Sequence, residues 1–76
     1  MPITLLAMGE SARIIGLTGP LLLRQQLSEL GFSSGRIVEV AQQTVGNNLI
    51  VAIQGSRIAL DRKMAHHIHV CLEREE

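Results

Sequence analysis

The residues best suited to chemistry in this chain are His66, His67, His69 and Cys71, grouped in the run Ala65-His66-His67-Ile68-His69-Val70-Cys71. Imidazole nitrogen and thiolate sulfur are the donors that Zn²⁺ and related transition ions prefer. On a strand, alternation sends His67, His69, Cys71 and Glu73 to one face and Ile68, Val70 and Leu72 to the other. Same-face neighbours lie about 6.5–7 Å apart, so two of them share an ion only when their rotamers lean together. Four closed ligands do not fit on one strand, and no second ligand-bearing segment is visible. His67, His69 and Cys71 are therefore candidates for an open, weak site that takes Zn or Fe(II) adventitiously or between two molecules. The competing reading is a solvated polar face, and no cofactor is required.

Other chemistry is excluded by what is missing. Gly16-Leu17-Thr18-Gly19 superficially resembles a phosphate-cradling loop. It lacks the longer glycine spacing and the Lys-Ser/Thr pair of a nucleotide loop, and the only lysine, Lys63, lies far along the chain. Ser11, Ser28, Ser33, Ser34 and Ser56 show no His and acid arrangement that would activate a nucleophile, so no enzymatic activity is expected. Seven Lys and Arg balance seven Asp and Glu, which gives no general attraction to nucleic acid or anionic lipid. Phe32 is the only aromatic residue, so neither a base-stacking platform nor a groove for Pro-rich peptides can be built. Yet 46% of residues are apolar and the mean hydropathy is +0.25. Some of that surface is expected to stay exposed, which points to a protein partner and is compatible with weak homo-oligomerisation.

The elements that must carry these residues are short. Residues 1–76 form a single domain that buries only about 60–65% of its unfolded surface. Cys71 is the sole cysteine and no signal peptide is visible, which fits a reducing, cytoplasmic compartment. The longest apolar run, Leu49 to Ile53, falls well short of the about 18 residues that a membrane span takes. Strands are expected over about 11–17, 36–43, 49–54 and 57–60, and a last one through Ile68, Val70 and Leu72. A short helix from about Pro20 to Leu30 joins the first two, and a helical turn capped by Asp61 covers Arg62 to His66. Leu23, Leu27 and Leu30 lie at i, i+4, i+7, the spacing of a core-facing stripe. Gly31 sits where helices end in a left-handed turn, Phe32 is placed to fold back onto the last turn, and Gly35 marks a second turn. Leu21 and Leu22 fall off the stripe, and Arg24 lies one turn along. Residues 17–24 are therefore the expected partner surface, with Leu21 and Leu22 as apolar anchors and Arg24 as a rim charge. Five short strands with one early helix suit a small, strongly bent antiparallel β-barrel.

The run Gly16…Gly19…Leu23-Arg24-Gln25-Gln26-Leu27-Ser28-Glu29-Leu30-Gly31-Phe32-Ser33-Ser34-Gly35 resembles the FeoA family, small cytosolic accessory proteins of bacterial ferrous iron transport. The later pieces Gly55-Ser56-Arg57-Ile58-Ala59-Leu60 and Ala65-His66-His67-Ile68-His69-Val70 continue the pattern, so the similarity covers about Leu5 to Val70. The resemblance implies an SH3-like barrel, related to domains that close the C-terminal end of some metal-dependent repressors. It also implies a partner, the FeoB-type membrane transporter with a cytosolic G domain, which would recruit the chain to the inner membrane and whose Fe²⁺ uptake it would modulate. One segment departs from the family: many relatives carry a Pro-x-Gly-Asp-Pro hairpin tip, and this chain has Thr44-Val45-Gly46-Asn47-Asn48.

Overall fold

The computed structural model describes residues 1–44 and 46–73. A 3-10 turn at Ile3–Leu5 precedes β1 (Ser11–Leu17), α1 (Leu21–Glu29), β2 (Ile37–Gln43), β3 (Asn48–Ile53), β4 (Ser56–Asp61), α2 (Arg62–Ala65) and β5 (Ile68–Leu72). The strands form one antiparallel sheet in the order β4-β3-β2-β1-β5. Register shifts between Ile14 and Gly16 in β1, and between Val40 and Gln42 in β2, break the pleat. Such bulges add twist and bend, and here they curl the sheet around its apolar side into the expected barrel. Among the described residues β4 and β5 are not hydrogen-bonded to each other. The turn at Ile3–Leu5 packs against both α2 and β5, and α2 against β4, so these short elements fill the seam.

The core is wholly apolar, with Phe32, Leu27, Ile3, Ile14 and Val51 at its centre and no buried polar or charged side chain among the described residues. Alternation sorts the strands: Leu49, Val51 and Ile53 are buried while Ile50 and Ala52 are half-buried on the outer face. The β3–β4 turn is made by Gln54 and Gly55, both at positive φ (51° and 80°), the backbone of a two-residue type I′ hairpin. The chain therefore doubles back at this point, and Arg57 to Leu60 run antiparallel to β3.

Helix α1 starts one residue later than expected, with Pro20 as N-cap, and ends at Glu29 with Leu30 as C-cap. The Gly31 N–H donates to the Ser28 carbonyl and the Phe32 N–H to the Leu27 carbonyl, both at 3.0 Å. Those two bonds, with Gly31 at φ +102°, make a Schellman termination. The expected three-leucine stripe is corrected in one place: Leu27 is fully buried and Leu23 packs on the core, but Leu30 is 44% exposed. The physical reason is the termination itself. Once the chain reverses at Gly31, Phe32 occupies the core beneath the last turn, and Leu30 is left outside. At α2, Asp61 caps as expected, accepting from the Lys63 N–H at 2.7 Å, and the helical segment stops at Ala65. The tip at 44–48 is described except for Val45, which lies outside the described residues; Thr44 closes it, its N–H and Oγ1 both donating to the Asn48 carbonyl.

Candidate functional site

Strand β5 turns Ile68 and Val70 into the core and leaves His69 half-buried and Cys71 exposed on the outer side. Its antiparallel register with β1 sets Leu17 opposite Ile68 and Gly16 opposite His69. That register carries Thr18 to the histidines. The Thr18 hydroxyl oxygen lies 3.2 Å from His67 Nδ1 and 3.2 Å from His69 Nε2. The Thr18 N–H also donates to the His67 carbonyl at 2.9 Å. The hydroxyl oxygen lies 3.5 Å from the same carbonyl; a hydroxyl has one proton, so it donates along one of these contacts at most and accepts only from a ring N–H. Gly19, at φ +92°, lies so close that a Cβ there would approach His67 Nδ1 to 2.9 Å. The two imidazoles thus hold down the loop from which α1 starts.

The structure therefore joins His67 and His69 through a third residue absent from the sequence candidates, Thr18. The signal for it was the glycine-bounded Gly16–Gly19 loop, whose docking partner only the strand order reveals. His66 stands apart, its Nδ1 3.3 Å from Thr4 Oγ1. Cys71 lies opposite Arg13 on β1, away from the shared hydroxyl. The Arg13 guanidinium pairs with the Glu73 carboxylate and donates to the Gly35 carbonyl at 3.2 Å. The hydrogen bond and the charge of Glu73 raise the arginine pKa further. Among the described residues no three or more His, Cys, Asp or Glu side chains converge as a metal centre.

The same loop leads directly into the helix start. Leu21 and Leu22 are 60% and 68% exposed, adjacent in sequence and uncovered. Pro20 provides no side-chain cap. Arg24 folds back instead, its Nε donating to the Gly19 carbonyl at 3.1 Å. Among the described residues the one salt bridge joins Arg13 to Glu73, so no carboxylate neutralises Arg24. Leu5, Met8, Ile15 and Ile37 are also exposed, but each stands on a different element or loop. Among the described residues no helix is long and apolar enough to cross a membrane and no enclosed cavity opens.

The chain matches the FeoA domain family over residues 1–71. Among solved structures it superposes on the FeoA protein from Chlorobium tepidum with a TM-score of 0.89 at 22% identity, covering 100% of this chain and 73% of that one. Iron(II) transport protein A from Clostridium thermocellum gives a TM-score of 0.87 at 29% identity, over 95% of this chain and 45% of that one. Stenotrophomonas maltophilia FeoA, solved in complex with zinc and described as a procaryotic SH3 domain protein, gives 0.82 at 25% identity, over 93% and 89%. No curated protein sequence matches. The curled five-stranded sheet, the Schellman-terminated helix between its first two strands and the match over nearly the full length lead to one assignment: the chain belongs to the FeoA family and has its SH3-like fold.

Proposed function

We propose that this protein is a non-catalytic accessory module of bacterial Fe(II) transport, docking on the cytosolic face of a FeoB-type transporter and modulating iron uptake. The observation that carries the reading is the exposed pair Leu21 and Leu22 on a nine-residue helix whose Leu27 is completely buried. Burying one leucine side chain is worth about 1.5–3 kcal/mol, so the pair supplies the anchor that a chain with a single buried aromatic otherwise lacks. Arg24 adds a charge at the rim, which suits an acidic surface and acts more on association rate than on affinity. Family membership supports the iron-transport role. The test is Fe²⁺ uptake in a deletion strain re-expressing either the wild type or the Leu21→Ala/Leu22→Ala double variant. Uptake should fall on deletion and be restored by the wild type alone. Normal uptake in the deletion strain would sink the reading.

A second reading, a small transition-metal-binding protein working through His67, His69 and Cys71, is favoured by one observation: two imidazole nitrogens already lean toward a common point at Thr18. An ion there would have to displace the hydroxyl and draw its remaining ligands from water or a second molecule. Tight, stoichiometric Fe²⁺ or Zn²⁺ binding abolished by His67→Ala and His69→Ala would favour this reading over the first.

A further inference from the structure

The two ends of the sheet are treated differently. Beyond β5, the Met1 ammonium donates to the Val70 carbonyl at 2.9 Å, and the Val70 N–H donates to the Met1 carbonyl at 2.7 Å. Pro2 bridges to His69, so this edge carries a short added segment with a proline in it. Proline and short segments are the usual ways of blunting an edge. At the other end, among the described residues, β4 pairs only with β3, in unbroken register from Asn48–Asp61 to Ile53–Ser56 and without a bulge. The two-residue hairpin closes on a hydrogen-bonded Ile53–Ser56 pair, and alternation then turns the N–H groups of Arg57, Ala59 and Asp61 away from β3. The carbonyls of Arg57 and Ala59 turn the same way. Among the described residues none of these groups has a backbone partner outside the sheet. Arg57, Ala59 and Asp61 are all exposed and share the outer face.

We propose that this edge pairs with the β4 edge of a second copy of the chain, antiparallel and centred on Ala59. The sequence is self-complementary in that register. Ala59 meets its own copy across the two-fold axis, where a small side chain lets the strands close. Arg57 then lies opposite Asp61 of the second copy, and Asp61 opposite its Arg57, giving two cross-strand ion pairs. Sliding by one pairing step in either direction sets Arg57 or Asp61 against Ala59 and loses both ion pairs as well as one hydrogen-bonded pair. Arg57 has no carboxylate partner within its own chain among the described residues. Asp61 accepts from Lys63 through Oδ1, which leaves its other oxygen for the arginine. The surface is separate from the Leu21–Leu22 helix start, so the dimer stands or falls independently of the transporter reading.

Sedimentation equilibrium of the full chain from micromolar to millimolar concentration tests it. The expected weight-average mass climbs toward twice the 8.3 kDa of one chain, and added salt reverses the climb because the ion pairs are exposed. Hydrogen exchange at the Arg57 and Ala59 amides should slow with concentration. Ala59→Pro removes an outward N–H without touching the β3 ladder, an edge position where proline is tolerated, and should be monomeric with an intact fold. Arg57→Asp sets like charges opposite Asp61 and should also be monomeric. Mixing Arg57→Asp with Asp61→Lys should restore a dimer, since each charge then finds its opposite. A wild type that stays monomeric throughout, whether or not the edge accepts an extended peptide of another protein, overturns the proposal. So does a dimer that survives both Ala59→Pro and Arg57→Asp.

Discussion

The Thr18 hydroxyl joins two imidazoles that alternate positions on an isolated strand would leave apart. What it contributes is modest in energy, since an exposed hydrogen bond of this type nets about 0.5–1.5 kcal/mol. Its effect is on position: it fixes the loop that sets the direction of α1. Gly19 makes the same loop sensitive. Any other residue must adopt positive φ, which costs roughly 1–2 kcal/mol, and its Cβ must push the His67 ring aside. Gly19→Ala is therefore expected to lower the thermal midpoint, by about 4–8 °C for each kcal/mol lost in a domain of this size. A wild-type midpoint would mean that the loop is not held as described. Metal follows from the same geometry. With only His67 and His69 converging among the described residues and the point between them filled by an oxygen atom, anaerobic calorimetry with Fe²⁺ should show no sub-micromolar, stoichiometric site. Binding of that strength, lost in His67→Ala and His69→Ala, would show that further ligands complete the shell.

Helix α1 divides its leucines between two tasks, and truncation separates them. Leu27→Ala removes a fully buried side chain, a change that typically costs about 2–5 kcal/mol, against a total of about 4–11 kcal/mol for 76 residues at the usual stability per residue. It should leave the chain largely unfolded or close to it. Leu21→Ala and Leu22→Ala remove exposed side chains and should melt within a few degrees of the wild type while binding the transporter's cytosolic domain poorly. If all three lose stability together, the pair belongs to the core and the interface lies elsewhere. This division was half legible in the sequence. The 3.6-residue period located Leu23 and Leu27, and Gly31 announced the turn, because both signals are local. Leu30 was misplaced because the same period continues through it, while the Schellman turn hands its core position to Phe32. Thr18 escaped notice for another reason. Its partners are some fifty residues away in sequence, and only the pairing of β1 with β5 brings them together.

At the scale of the whole molecule the barrel is a curled sheet with a seam, and the seam is filled by a few apolar side chains rather than by a strand ladder. Ile3 is the principal one: it is wholly buried, its turn touches α2 and β5, and Met1 and Pro2 beside it bond to β5. Ala65 seals the other side from α2. A domain this small has one core, so loss at the seam cannot be confined there. Ile3→Ala should cost about 2–5 kcal/mol, comparable with Leu27→Ala although the two residues lie on opposite sides of β1 in sequence. Urea unfolding should remain a single transition with its midpoint shifted and its slope unchanged. Native-state hydrogen exchange supplies the discriminating detail. If the seam is part of the single cooperative unit, amides of β2 and β5 lose protection together in the variant. If β5 and the Ile3–Leu5 turn exchange early while the other four strands keep wild-type protection, the seam opens on its own, and the barrel is better described as a four-stranded core with a detachable flap.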